Sequence, residues 1–176
     1  LKSAAANLGD AYVFLEFTIP RMGRRVDAVV LSGGCVFVLE YKVGSEHFQD
    51  ASIHQVVGYA LDLKNFHEPS HQLPIFPILI ATNAKTRESS AQMAEDGVCE
   101  PILSNGDNLS KVIDNACTAF GADQIDPSAW VEGRYRPTPT TIEAAQALYR
   151  NHRVDDITRN EAGAENLSAT SSYVSS

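Results

Sequence analysis

The chain has 176 residues, 44% of them hydrophobic and 20% charged, with a formal net charge of −8. That is the size of one ordinary globular domain; the apolar fraction excludes a disordered chain, and no stretch reaches the roughly 18 consecutive apolar residues of a membrane helix. The acidic balance excludes a protein that holds nucleic acid by bulk charge, while Cys35, Cys99 and Cys117, in no CxxC spacing, support neither a disulfide framework nor a zinc ribbon, so a reducing, cytoplasmic setting is expected.

The chain begins at Leu1 without a signal-like segment and ends in a serine-rich run, Ser168 to Ser176, so it is expected to be a piece of something longer. Ala11 to Ile19 is aromatic and β-branched, predicting a strand that Pro20 closes, with the polar segment RMGRR as connection. RVDAVVL and CVFVLEYKV follow as two β-rich runs around Ser32, Gly33 and Gly34, the turn chemistry of a hairpin. From Phe48 to Phe66 apolar residues recur at helical spacing, Ile53, Val56, Val57, Ala60, Leu61 and Leu63 making one face, and Pro69 prevents continuation. Pro74 to Thr82 reads as a buried strand with its prolines at the start and near an edge, followed by a short run Val98 to Leu103. Gly106 and Asp107 lead into a helix predicted over Leu109 to Phe120. Arg134 to Thr140 is too proline-rich for a regular element, and Thr141 to His152 has helical composition. The class is α/β, with a mixed central sheet, a core hairpin and flanking helices. Two regions are expected, a body over residues 1–133 and a connector with a helix over 134–176.

The chemistry gathers on the hairpin. If Leu31 pairs with Val36 across a four-residue loop, the same register sets Asp27 opposite Glu40. The period of two places Lys42 on that face too. The opposite face carries Phe37, Leu39, Tyr41 and Val43, and the charged face carries Val36 and Val38, so the second hairpin strand is apolar on both sides and central. A lone Glu–Lys pair is an ordinary salt bridge. Two carboxylates opposed across a ladder repel, and something cationic belongs between them. Lys42 can neutralise one, but a divalent metal held by two carboxylates, with open water positions, is the arrangement that phosphodiester hydrolysis needs.

Asp27 followed by Glu40-Tyr41-Lys42 resembles the D-x(n)-E-x-K signature of the PD-(D/E)XK nuclease superfamily, with Val26 where proline often stands. Fifteen residues after Glu40, Gln55-Val-Val-Gly-Tyr59 is similar to the QxxxY motif of the RecB-like, helicase-associated branch, and a spacing of four puts Gln55 and Tyr59 on one helix face. EFTIPRMGRRVDAVVL, EYKVG, QVVGYALDLKNFH, PILIAT and YRPTPTTIEAAQALYRNHRVDDITR together resemble the N-terminal region of bacterial Schlafen-like DNA/RNA helicases, over about Glu16 to Arg159. The resemblance implies a restriction-endonuclease-like fold and a Mg2+- or Mn2+-dependent nuclease acting on DNA or RNA. Asp27 and Glu40 would hold the metal, with Glu16 as a third candidate, Lys42 would orient the attacking water, and Gln55 and Tyr59 would orient substrate. It also implies a C-terminal helicase domain as partner. No G-x-x-x-x-G-K-[ST] sequence is present, so no ATP site is expected in this chain.

Arg21, Arg24 and Arg25 stand just before Asp27, where guanidinium groups suit phosphate contacts. Arg134-Tyr135-Arg136 interleaves basic and aromatic residues, but a linker packing Tyr135 and Trp130 on the body is the expectation. His67 and His71 are four apart with Pro69 between, which marks them as loop histidines rather than metal ligands. Cys35, in the hairpin turn, lacks a neighbouring base and is not expected to be a nucleophile. Against the nuclease stands a catalytically inactive module of the same fold that docks nucleic acid or protein, and beyond that an interaction domain of a defence or restriction-type system.

Overall fold

A computed structural model describes residues 11–19, 21–86 and 91–149. Five strands form one mixed sheet in chain order: β1 (Tyr12–Thr18), β2 (Arg25–Ser32), β3 (Cys35–Lys42), β4 (Ile75–Ala81) and β5 (Ile102–Ser104). The first three are antiparallel neighbours, and β3, β4 and β5 run parallel. Four helices accompany them: α1 (Asp50–Phe66), α2 (Leu109–Phe120), α3 (Pro127–Val131) and α4 (Pro139–Tyr149). The architecture is α/β, a mixed sheet flanked by helices. No described helix is long and apolar enough to cross a membrane.

The hairpin has the expected register, Leu31 against Val36, but the ladder runs one pair further, to Ser32 and Cys35. The loop is therefore Gly33-Gly34 alone rather than four residues. Both glycines sit at positive φ, 52° and 76°, as a primed two-residue turn demands. Side-chain alternation then sends β3 to two cores. Val29, Leu31, Val36 and Val38 pack with Val56, Tyr59, Ala60 and Leu63 of α1 on one face, and Val30, Phe37, Leu39 and Phe76 pack with Ile113 and Ala116 of α2 on the other. This is the central, doubly apolar strand that the sequence pattern requires.

Pro77 lies inside β4, next to the sheet's edge strand. Ile75 uses its N–H and C=O on the β5 side, bonding Gly97 O and Cys99 N, and the period of two turns Pro77 the same way. The β4–β5 ladder begins only after it, at Ile78 and Ile102, so the missing N–H interrupts no pair. The run expected over Val98 to Leu103 is a strand only from Ile102; Val98 and Cys99 make isolated bridges to Ile75 and Met93. Helix α4 starts at Pro139 rather than Thr141, since proline suits a first helical turn. The expected end at His152, and the serine-rich terminus, lie outside the described residues.

Helix α3 has no counterpart in the sequence reading. Asp126 caps it by accepting from Ser128 N and Ala129 N, and its Trp130 is 1% exposed, stacked on Phe14 and donating from Nε1 to Ser70 Oγ at 3.1 Å. After it, residues 134–138 run along the end of α1: Tyr135 stacks on Phe66 at 5.5 Å, and Arg136 N and Thr138 N donate to Phe66 O and Asn65 O. The described start of the connector is thus docked on the body, as expected for Tyr135 and Trp130.

Candidate active site

The site lies where β2 and β3 part company. Backbone pairing ends at Ala28 and Leu39, and one residue further Asp27 and Glu40 face each other without a ladder bond. Asp27 Oδ2 instead accepts from Tyr41 N at 2.8 Å, so a side chain takes over the donor that the ending ladder leaves. Lys42, two residues on, shares the Glu40 face and turns its ammonium back, donating to Glu40 Oε1 at 2.8 Å and to Gln55 Oε1 at 3.1 Å. Gln55 Nε2 donates to Tyr59 OH at 2.8 Å. Glu40, Lys42, Gln55 and Tyr59 therefore form one continuous chain from the sheet to α1, with Asp27 beside its acidic end.

The loop that carries the chain from Lys42 toward α1 is fastened to the end of β4. Thr82 N donates to Lys42 O, Asn83 N to Ser45 O, and Gly44 N to Thr82 Oγ1. Glu40 and Lys42 accordingly sit at the carboxyl end of the parallel strand β3, beside the crevice where open α/β sheets place ligands.

Glu40 is 4% exposed, and its Oε2 is buried with no hydrogen-bond donor among the described residues. Burial pushes its carboxyl above the ordinary range, the Lys42 hydrogen bond pulls it down, and the Asp27 charge pushes it up again. A buried acid with one oxygen unsatisfied, beside a second acid, is a place of unfavourable electrostatics that the fold maintains. The donors offered are all oxygen, which suits a hard divalent cation such as Mg2+ or Mn2+. Among the described residues no group of three or more His, Cys, Asp or Glu surrounds one point, so the carboxylates on offer are the Asp27 and Glu40 pair.

The other expected residues are dispersed. Glu16 has a φ of +54°, the β1–β2 register passes over it and Asp27 without a pairing, and its carboxylate lies 2.7 Å from Arg25 Nε in an exposed ion pair. Arg21 lies over the ring of Tyr135, and Arg24 Nη1 donates to Asp62 Oδ2 at 3.1 Å. The three arginines thus point to three different partners rather than to one mouth. The sequence reading passed over Asp62, whose side chain is 6% exposed; its signal was position, three residues after Tyr59 and seven after Gln55 on the same helical stripe.

His67 is fully buried, hydrogen-bonded through Nδ1 to Ser70 Oγ and edge-on to Trp130, so it packs with α3, while its Nε2 is buried without a hydrogen-bond partner among the described residues. Cys35 is buried beside Cys117, whose Sγ lies 3.3 Å from Ser32 O, and its hydrogen bond with Cys117, together with burial, raises the Cys35 thiol far above its ordinary range, the wrong direction for a nucleophile.

Comparison with protein-family models, with curated proteins and with solved structures found no match. The function must be argued from the site itself.

Proposed function

We propose that the chain is a Mg2+- or Mn2+-dependent nuclease domain that hydrolyses phosphodiester bonds of DNA or RNA. The observation that carries the reading is the buried, unpartnered Glu40 Oε2 beside Asp27, in a side-chain chain that continues through Lys42 and Gln55 to Tyr59. Asp27 and Glu40 would hold the ion. When bound it would lower the pKa of a water and offset charge on the phosphoryl oxygens.

The remaining work falls to this chain's own groups. Lys42 holds three donors on a flexible stem. With its charge shared between Glu40 and Gln55, it can turn toward a water or a developing oxyanion without leaving the site. Gln55 is bonded at both ends, so its amide is fixed in orientation and keeps Lys42 and Tyr59 in register. Tyr59 accepts from Gln55, which leaves its own O–H to donate to a substrate oxygen. The PD-(D/E)XK resemblance, with its restriction-endonuclease-like fold, names the same five residues. It carries with it a helicase-like domain as partner in a longer protein, and the free thiols Cys35, Cys99 and Cys117 accord with a reducing cytoplasm.

The test is cleavage of labelled single- and double-stranded DNA and RNA with Mg2+ or Mn2+. Asp27→Ala and Lys42→Ala proteins should be inactive, and unchanged cleavage in both would sink the assignment. A second reading, an inactive docking module, is favoured by one observation: Lys42 already neutralises Glu40. Calorimetry separates the two, because a docking module takes up no divalent ion while still binding nucleic acid.

A further inference from the structure

Two of the three thiols, far apart in sequence, meet at the hairpin turn. Cys35 opens β3 opposite Ser32, and the end of α2 packs over Gly33-Gly34, with Ala122 N donating to Gly33 O. Cys117 lies in the last turn of that helix. A Cβ placed on Gly33 would stand 2.9 Å from Cys117 Cβ and 3.0 Å from its Sγ, so the glycine leaves the space that the Cys117 side chain fills. Cys117 Sγ donates to Ser32 O at 3.3 Å, Cys35 Sγ lies 3.7 Å from Gly33 O, and the two thiols are hydrogen-bonded to each other.

The pair is asymmetric. Cys35 is fully buried, whereas Cys117 is half-buried and is the one that a small solute reaches. The hydrogen bond from Cys35 favours the Cys117 thiolate and brings that thiol down to about 7, against burial and the charge of Asp114 on the same helix. An accessible thiol of lowered pKa beside a second, buried thiol is the arrangement of a peroxide-reactive cysteine with its resolving partner. Cys99 offers the contrast: it is 3% exposed, and burial pushes its thiol up to about 11.

We propose that Cys35 and Cys117 are a peroxide-oxidised dithiol, in which Cys117 reacts first and Cys35 closes an intramolecular disulfide. The Cys117 thiolate attacks hydrogen peroxide. An S–O bond forms, the O–O bond breaks, and the departing hydroxide takes up the proton that Cys117 had lost, giving water. Cys117 is then a neutral sulfenic acid, so the thiolate that held the Cys35 proton is gone. The Cys35 sulfur attacks the Cys117 sulfur, the S–S bond forms as the S–O bond breaks, and the Cys35 proton leaves with the hydroxyl as a second water. Two thiols lose two electrons, and one peroxide is reduced to two waters. A disulfide needs its sulfurs about 2 Å apart, and thiols in hydrogen-bond contact reach that by a short approach of two side chains. The bond closes a loop of about 80 residues and ties the start of β3 to the end of α2, at the opposite end of β3 from Glu40 and Lys42. It stands independently of the nuclease reading.

The experiment treats the whole chain with a few equivalents of hydrogen peroxide, quenches with an alkylating reagent and maps the tryptic peptides. Cleavage after Arg25, Lys42, Lys111 and Arg134 puts Cys35 and Cys117 in separate peptides. The expected product is one linked pair with Cys99 alkylated, reversed by dithiothreitol, and a Tm about 5–15 °C higher in the oxidised protein than in the reduced one. In Cys35→Ala the reaction should stop at a Cys117 sulfenic acid that dimedone captures, and in Cys117→Ala the Cys35 thiol should survive the same treatment. The map of native wild type decides the matter even where a variant fails to fold. Three alkylated thiols after peroxide, a link through Cys99 or between two copies, a link that forms only in urea, or an oxidised protein no more stable than the reduced one would overturn the proposal.

Discussion

Replacing Glu40 by Gln should make the protein more stable while removing the proposed nuclease activity. In the wild type the carboxylate is 4% exposed, one oxygen has no partner, and Asp27 repels its charge. Glutamine is isosteric. Its oxygen can keep the Lys42 bond, and its amide nitrogen, placed where Oε2 was, can donate toward Asp27. An unsatisfied buried group costs about 1–3 kcal/mol, and losing the charge-assisted bond to the partly exposed Lys42 returns part of that. The net gain should be about 1–2 kcal/mol, which for a domain of this size is about 3–6 °C in Tm. The size of the gain depends on pH. The folded-state pKa of Glu40 is raised, so ionised Glu40 burdens the fold at neutral pH and the burden disappears as pH falls below the ordinary carboxyl range. The gap between variant and wild type should therefore be full at pH 7 and close toward pH 4. Thermal unfolding in EDTA reads this directly, and adding Mn2+ should raise the Tm of wild type more than that of the variant. A variant less stable than wild type at pH 7 in EDTA would refute the reasoning, because it would make the Glu40–Lys42 pair a structural salt bridge.

Lys42→Met should do the opposite, lowering stability at pH 7 by about 1–3 kcal/mol because it strips Glu40 of its Lys42 hydrogen bond, with much of the loss recovered near pH 4 where Glu40 is neutral; urea titrations at the two pH values test it. Burial holds the His67 imidazole down at about 4, so the unfolded chain takes up the proton first. The His67 contribution to stability should fall as pH drops from 6.5 toward 4, by up to about 3 kcal/mol, and this contribution should be absent in His67→Asn. Burial raises Asp62 to about 6, which works in the opposite sense over nearly the same window, so the acid loss should be steeper in Asp62→Asn than in wild type. Gly34→Ala should cost about 2–4 kcal/mol, because φ is +76° and a Cβ would meet the Ala122 backbone at 2.7 Å, whereas Gly44→Ala, at φ +77° in open space, should cost only about 1 kcal/mol.

What could be read from the residues was whatever depends on alternation and local turn chemistry. The double glycine and the two flanking apolar runs specify a hairpin, and once its register is set, the meeting of Asp27, Glu40 and Lys42 on the α1 face follows from a period of two. Helix α2 was legible to the residue because Gly106 and Asp107 precede a clear apolar stripe. Two kinds of feature were not legible. Helix α3 is five residues long, too short to show a period, and exists because Asp126 caps it and Trp130 has a buried slot to fill. The fate of the arginines was hidden for a different reason. Adjacency in sequence placed Arg21, Arg24 and Arg25 together, but a strand start and a turn at positive φ send them to an aromatic ring, a buried acid and an exposed acid.

That dispersal bears on the net charge of −8. Arg24, Arg25 and Arg136 each hold a carboxylate, Asp62, Glu16 and Glu68, and Lys42 holds Glu40. Cations that are already paired release few counterions when they meet a phosphate. Of these four paired cations, Lys42 and Arg24 are the ones beside the site. Neutralising one or two phosphates of a single strand gives a slope of about −0.7 to −1.4 in log K against log salt. The isolated chain should therefore bind nucleic acid weakly but with shallow salt dependence, unlike a basic domain whose grip collapses as salt rises. Anisotropy titrations between low and moderate salt decide it, and a slope steeper than about −4 would mean that a wide cationic surface engages the strand. On the proposed nuclease reading this chain's part is local positioning of the bond to be broken; sustained hold on the polymer would then come from another domain or protein, and fusing or adding a basic partner should raise affinity and steepen the slope together.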